Sequence, residues 1–398
     1  MSEPFAFERE PFRRELASEV VRTGAENGRP YVVLADTICY PEGGGQPADH
    51  GRIAGIEIAD VRTVDGEIRH FLAGPPPSGQ VTIELDWERR FDHMQQHTGQ
   101  HLLTAIAHER FGWATTAFHL GANASDIELD TPSLDAERLQ ALEEAVATEI
   151  RAARSVIARR VSPEEYASLP VRTRGLPEGH RGGIRLVEIA GIDLNTCGGT
   201  HLRSTAELET LKLLGTESMR GGTRLFYAAG GRVRTLLGAH QARTTELRQL
   251  LGASDEELVR SVQSRLDQLK EAQRTTRDLH EALAVESARA LASPGDVVVA
   301  QHWDDQDLPF LQRVAKEFVR LAPDRVALLT AGTDQGAFVL CAGDTAVLDV
   351  PAIGRKIAEV LSGRGGGSGR MFQGKAAALQ QRGAALSLLR SAMTPGNA

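Results

Sequence analysis

The sequence predicts an α+β multidomain protein, and three observations carry that reading. The chain has 398 residues, too many for one comfortable core. Residues 30–90 read as short strands, after which the apolar pattern turns helical from Phe91. Beyond residue 293, strand and helix patterns alternate behind a long charged helix, as in an α/β module.

The elements follow in order. RPYVVLAD and VTIELD are rich in β-branched residues. IEIADVRTV and EIRHFLA flank Asp65-Gly66, a dipeptide suited to a two-residue hairpin turn. GPPPSG, Gly74 to Gly79, closes that run. Between the strands lies YPEGGGQPADHG, Tyr40 to Gly51, where Gly43, Gly44 and Gly45 let the backbone approach another object closely. From Phe91, His97, His101, Leu102, Ile106 and Phe111 keep helical spacing up to a stop at Gly112. A second helix, around Ser133 to Arg154, carries Leu139, Leu142, Val146 and Ile150 on one face. IRLVEIAG and TRLFYAAG are short β-like runs set among glycine turns.

Ser254 and Glu257 form a capping-box pattern at the start of the long helix. Leu258, Val262, Leu266, Leu269, Ala272, Leu279 and Leu283 then recur at three- and four-residue steps wrapped in charge, a coiled-coil-like face. SPGD, Ser293 to Asp296, ends it. VVVAQ, an amphipathic helix near Leu308 to Leu321, RVALLTA and GAFVLCAG follow. A helix before Ser362, a loop GRGGGSGR and a terminal helix complete the module.

Composition narrows the class. With 41% hydrophobic and 25% charged residues the chain reads as soluble and globular. MSEPFAFERE has no signal-peptide pattern, and no apolar run approaches a membrane span. Cys39, Cys197 and Cys341 are odd in number and far apart, which argues against a disulfide framework and for a reducing, cytoplasmic setting. A net charge of −8 excludes an indiscriminate polycation. Arginine is nevertheless dense at Arg151, Arg154, Arg159, Arg160, Arg172, Arg174, Arg181, Arg185, Arg220 and Arg224, which suits either phosphate contact or a solvated face.

Chemistry concentrates in two motifs. HTGQH places His97 and His101 at i and i+4, so both imidazoles leave one helix face, a spacing that offers two nitrogen ligands to zinc. His93, four residues before His97, forms a competing pair. NTCGGTH supplies Cys197 and His201, the other half of a His₃Cys set. Cys197 as a nucleophile with His201 as its base is the rival reading. It leaves HTGQH unexplained, so a metal is the more economical account.

YPEGGGQPADHG, HTGQHLL and NTCGGTH, in this order and at these separations, resemble the editing half of alanyl-tRNA synthetases and the free-standing AlaX proteins. The resemblance implies four parts: a β-barrel domain over 1–90, a zinc-dependent editing core over 91–235, a helical linker over 236–293, and a C-terminal α/β domain over 294–398. It places the metal ligands at His97, His101, Cys197 and His201, holding one Zn²⁺ per chain, and leaves His93 outside the motif. It associates Thr37 with the hydroxyl of a serine substrate and brings Gly43, Gly44, Gly45 and Gln46 to the pocket. Gln100, and Asn195-Thr196 before the cysteine, depart from the family pattern without removing a ligand. About thirty residues precede the first of these strands, too few for an aminoacylation domain of ordinary domain size.

The function so implied is hydrolysis in trans of mischarged tRNA(Ala), carrying serine or glycine, at its acceptor end. Such a second site is the physical remedy where an alanine pocket discriminates weakly. Four protein ligands close a tetrahedron, as structural zinc does, whereas catalytic zinc keeps one position open. Zinc therefore activates water, polarises the ester or shapes the pocket. The alternative is a non-catalytic, zinc-stabilised tRNA-binding module that assists a synthetase. A third reading puts activity in the C-terminal module by kinship with DHH phosphoesterases, but no DHH tripeptide occurs. Gly365, Gly366 and Gly367 are expected to contact tRNA, and the helical linker with the C-terminal domain to form a homodimer. No membrane partner is expected.

Overall fold

The computed structural model describes residues 3–172 and 183–394. Arg174 and Arg181 of the arginine-dense zone lie outside the described residues. The chain is α+β and divides into two compact units, 1–246 and 247–398.

In the first unit a short helix, α1 (Ala6–Arg9), precedes six strands: β1 (Glu15–Glu26), β2 (Arg29–Leu34), β3 (Gly51–Ile53), β4 (Ile56–Val64), β5 (Glu67–Leu72) and β6 (Gln80–Leu85). They close into a barrel in the order β1-β2-β5-β4-β3-β6, β6 pairing back onto β1. Val81, Ile83 and Leu85 of β6 alternate inward with polar residues outward, the period-two pattern of a strand buried on one face. Val32, Ile38, Ile53, Ile58, Val61 and Ile83 fill the barrel. At the β4–β5 turn Asp65 and Gly66 both take positive φ (51° and 81°), as a two-residue hairpin requires.

The segment between β2 and β3 forms no strand. It folds into a tight turn in which Gly43 and Gln46 exchange backbone hydrogen bonds at 3.1 and 2.9 Å. Gly44 and Gly45 sit at φ 56° and 81°, the left-handed region that explains the glycines. Asp49 in the same segment is fully buried against Arg90, whose Nε lies 3.1 and 3.0 Å from its two oxygens. Arg90 also donates to the Pro11 and Ile38 carbonyls at 2.8 and 2.6 Å. So many partners satisfy a charge that burial alone would penalise.

Arg90 belongs to α2 (Trp87–Phe111), capped by Asp86 through the Arg89 amide and ended by Gly112 at φ 69°. The helix begins four residues before the expected Phe91, because Asp86 supplies the cap. It is followed by β7 (Thr115–His119), β8 (Ser125–Leu129), α3 (Ala136–Arg151), β9 (Val156–Val161), α4 (Pro163–Ser168), β10 (Ile184–Ile189), β11 (Asp193–Thr196), β12 (Leu211–Met219) and β13 (Gly222–Ala229). These strands make a four-stranded sheet, β12-β13-β8-β7, and a three-stranded one, β11-β10-β9. The core gathers Met94, Leu102, Leu103 and Ile106 of α2 with Leu142 and Val146 of α3 and with Ile127, Leu225 and Tyr227 of the larger sheet. α5 (Gly231–Leu251) then runs across the boundary between the two units.

In the second unit, Glu257 accepts from the Ser254 amide and hydroxyl at 3.4 and 2.9 Å ahead of α6 (Leu258–Leu291). The helical stretch is thus two helices broken at Gly252, φ 62°. On α6, Val262, Leu266, Leu269, Leu279 and Leu283 are exposed, while Ala284 and Ala288 pack against the next helix. The rest is β14 (Val298–Trp303), α7 (Leu308–Leu321), β15 (Val326–Gly332), β16 (Gly336–Ala342), α8 (Val350–Val360), β17 (Arg364–Ser368), β18 (Met371–Ala376) and α9 (Arg382–Met393). The sheet order is β14-β15-β16-β18-β17, with only β14 and β15 parallel. Val326 and Leu328 face α8 and α9 on one side, and Ala327 and Leu329 face α6 and α7 on the other.

One expectation is corrected here. Within GRGGGSGR, Arg364–Ser368 is not a loop but the edge strand β17, paired antiparallel with β18, and Gly369 at φ 63° turns between the two. A side chain at Gly365 or Gly367 would run into the backbone carbonyls of Gln373 or Met371, so this close pairing needs glycine. No helix among the described residues is long and apolar enough to cross a membrane.

Candidate metal centre

α2 carries His97 and His101 to one end of the core, and the turn after β11 carries Cys197 and His201 to the same point. One ligand atom from each lies within 4.8 Å of every other. Cys197 Sγ is 3.3 Å from Nε2 of His97 and 3.3 Å from Nε2 of His201. Tetrahedral zinc with bond lengths of about 2.0–2.3 Å has ligand–ligand edges of roughly 3.3–3.7 Å, so this spacing fits the ion.

The far nitrogen of every histidine is anchored. His97 Nδ1 lies 2.9 Å from Gln46 Oε1, His101 Nδ1 3.1 Å from Asp193 Oδ2, and His201 Nδ1 3.2 Å from Thr98 Oγ1. Two of these partners are pure acceptors. The Thr98 hydroxyl also accepts the Leu202 amide at 3.1 Å. Gln46 and Asp193, which can only accept there, put a proton on Nδ1 of His97 and His101, and all three rings turn Nε2 to the common centre, the arrangement of metal-ligating imidazoles. The three anchors are themselves held. Thr200 donates its amide to Gln46 at 3.0 Å and accepts from the Gln46 amide group at 2.9 Å, while Arg172 donates to Asp193 at 3.1 and 2.7 Å.

Charge follows the same logic. Burial pushes the Cys197 thiol up, but the His97 and His201 imidazoles, with hydrogen bonds from His101 and His201, hold it well below the usual thiol range. Burial opposes charge on His101 too, yet the Asp193 hydrogen bond and Cys197 raise it to about 9. Burial pushes His201 down to about 3. An ion bound there would displace the extra His101 proton, and the thiolate with three imidazole nitrogens would make a soft, mixed S/N donor set, which zinc accepts and magnesium or calcium do not.

A cavity of about 610 Å³ opens onto His97, His101 and Cys197. Gly44 and Gly45 form one wall, Phe118 another, and Arg172 and Asn195 lie at its border. Gln100, Thr104 and Thr115 line a polar strip in it, with Gln100 donating to Thr104 at 2.9 Å and Thr115 to Thr104 at 3.2 Å. Gly45 is pressed against Phe118, where a side chain would overlap the ring. Gly199 is pressed likewise against His97 and Gln46.

Not every expected residue reaches this cavity. Gln46 is fully buried as the support of His97, and the Gly43 carbonyl accepts from the Tyr40 hydroxyl at 2.8 Å. Thr37 is inside the barrel, its hydroxyl 2.8 Å from His70 Nε2 and accepting the Cys39 amide at 3.0 Å. His93 is buried but does not join the ligand cluster. Gly365, Gly366 and Gly367 belong to β17 in the other unit.

Residues 184–227, which include Cys197 and His201, match the family described as the threonyl and alanyl tRNA synthetase second additional domain. The mouse alanyl-tRNA editing protein Aarsd1 is 37% identical over 403 residues, covering 97% of each chain. The zebrafish protein of that name is 38% identical over 90% of this chain and 87% of its own. The chain belongs to the alanyl-tRNA editing proteins. AlaX-L of Pyrococcus horikoshii, an alanyl-tRNA editing protein, is 35% identical over 52% of each chain.

In this alanyl-tRNA editing protein the supporting residues were the ones hidden from the motifs. Thr98 and Thr200 lie inside HTGQH and CGGTH, where a hydroxyl beside a ligand was the available signal. Asp193 and Arg172 had none, because their pairing is made by the fold.

Proposed function

We propose that this chain hydrolyses the ester joining a wrong amino acid to tRNA(Ala), acting in trans on seryl- and glycyl-tRNA(Ala). The observation that carries this is the His97–His101–Cys197–His201 cluster facing a cavity of amino-acid-plus-ribose scale, in a chain of this family. A zinc ion held by those four residues would supply Lewis acidity toward the ester or water. The remaining contributions are the chain's own. Gln46 and Asp193 keep two of the imidazoles in the ligating tautomer, and Thr98 orients the third. The Gly44–Gly45 turn brings bare backbone to the cavity wall, and Phe118 adds an apolar ring to its lining. The Gln100–Thr104–Thr115 strip offers donors and acceptors to a seryl hydroxyl, which supports serine as the preferred group.

The same reading assigns the barrel to 1–90, the zinc-dependent core to 91–235, the helical linker to 236–293 and the C-terminal domain to 294–398. It gives the exposed apolar residues of α6 to a homodimer and Gly365–Gly367 to tRNA contact. The four-ligand set also favours a second reading, a structural ion in a tRNA-binding module. Purified protein incubated with tRNA(Ala) charged with serine, glycine or alanine, with and without a chelator, tests the two. An editor releases serine in a chelator-sensitive way and spares alanine. An intact or protected seryl ester, or release by verified metal-free protein at the full rate, refutes the zinc-dependent reading.

A further inference from the structure

The arginine-dense zone that suggested RNA contact is mostly consumed internally. Arg154 is paired with Glu149, Arg159 with Glu165, Arg160 with Glu8, Arg172 with Asp193 and Arg224 with Glu128. Two arginines outside that zone behave differently. The Arg203 guanidinium carbon lies over the Phe12 ring, 3.9 Å from its centroid, and that of Arg14 over Trp87 at 4.4 Å. Neither has a carboxylate partner for its guanidinium among the described residues. Phe12 and Trp87 are themselves neighbours, with ring centroids 5.8 Å apart, and Phe91 continues the row at 5.7 Å. A guanidinium stacked on a ring is held in plane by its face while its N–H edge stays free to donate.

Phe12 and Arg203 also line a second cavity, of about 480 Å³, which reaches His201. Arg9, Arg13 and Arg185 line it as well. Arg9 is paired with Asp36 and Arg13 with Glu10. Arg185 donates to the Cys197 and Gly199 carbonyls at 2.7 and 2.8 Å and approaches Glu8 only at 3.9 Å. Glu10 also lines the cavity, so four arginines face one carboxylate and the lining is net positive, although the whole chain is at −8. It borders the ligand cluster through His201, while the 610 Å³ cavity borders it through the other three ligands.

We propose that Arg203 and Arg14, stacked on the Phe12–Trp87 row, bind the phosphate backbone of the RNA strand whose acylated end enters the cavity beside His97, His101 and Cys197. This rests on the deacylase reading of that centre and adds the residues that position its RNA. A polyanion meeting a net-negative protein needs local, unneutralised cations, and planar cations over aromatic rings also suit unstacked bases. An acidic protein partner is the other occupant such cations fit; the approach of the 480 Å³ cavity to His201 favours the strand that carries the ester.

The test is binding of unacylated tRNA, read by anisotropy across a salt series, with Arg203→Ala, Arg14→Ala, the double variant and Arg203→Lys. Each lost phosphate contact should flatten the slope of log K against log salt by about 0.7–0.9, and the double variant should bind roughly tenfold more weakly. On acylated tRNA the loss should fall on KM more than on kcat, and Arg203→Lys should restore most of the salt slope. Unchanged affinity and slope in the double variant, with its melting curve intact, overturn the proposal. So does a loss confined to binding of a protein partner. A wild-type chain that binds tRNA with the arginine-dependent slope yet leaves the ester intact refutes the deacylase reading and leaves this one standing.

Discussion

Replacing Gln46 with Met keeps the length of the side chain and removes its hydrogen bonds. The wild-type amide holds His97 Nδ1 at 2.9 Å, the Thr200 amide at 3.0 Å and the Thr200 hydroxyl at 2.9 Å. His97 is 0% and Thr200 1% exposed, so neither orphaned N–H can reach water. Each buried orphan costs about 1–3 kcal/mol, and two of them, partly relaxed, cost about 2–4 kcal/mol. For a unit of this size that lowers Tm by roughly 5–15 °C. With His97 free to rotate or change tautomer, zinc affinity should fall about 10–100-fold. Chelator competition gives the affinity and a thermal melt gives the stability. If Gln46→Met raises KM alone and leaves zinc affinity and Tm untouched, Gln46 is a substrate contact and the strut argument is refuted.

Three further outcomes follow from the geometry. Thr104→Val removes the hydroxyl on which Gln100 and Thr115 converge, and should lower kcat/KM for seryl-tRNA by about tenfold or more relative to glycyl-tRNA; an unchanged ratio of the two refutes the strip as a hydroxyl reader. Gly199→Ala drives a methyl group into the His97 ring and the Gln46 carbonyl. It should cost about 1–3 kcal/mol in the melt and weaken zinc binding, whereas tolerance of alanine with full zinc loading would show that this approach is not tight. Burial pushes His70 down to about 4, against about 6.5 in an unfolded chain, so the unfolded state binds the extra proton and stability falls as pH drops through that window, by up to about 3 kcal/mol. His93, also pushed to about 4 by burial, loses stability with the same sign. His70→Asn should therefore shrink the drop between pH 7 and pH 4.5 without abolishing it, and an unaltered pH profile measured by urea unfolding would contradict the assignment.

Local chemistry was legible in the sequence wherever the signal lies within one turn or one motif. Asp65-Gly66, Gly112 and the Ser254–Glu257 pair mark a hairpin, a helix end and a helix start because each acts on its own neighbours. The i, i+4 histidines and the CGGTH turn announced the four-residue cluster for the same reason. What stayed hidden is long-range. β1 was not anticipated, since ELASEVVRTGAE alternates only weakly and its pairing is with β2 and β6. GRGGGSGR looks like a loop until β18 is laid beside it. The resemblance gave Thr37 a place at the substrate. The structure gives its hydroxyl to His70, a residue 33 positions away that no local pattern connects to it.

Gln46 leaves the barrel segment between β2 and β3, His97 sits on α2, and Thr200 lies in the ligand turn; three separate stretches meet on one amide. The Asp49–Arg90 pair fastens the same segment to the same helix a few residues away. An ion bound by the four-residue cluster would therefore make occupancy and barrel attachment one equilibrium seen from two ends. Filling the centre would stabilise the docked segment by RT ln(1 + [metal]/Kd), and anything that peels the segment away would weaken the hold on the ion by the same factor. Hydrogen exchange at the Thr200 amide and along residues 37–50 would then track metal concentration, so the small barrel doubles as a built-in gauge of whether the centre is loaded.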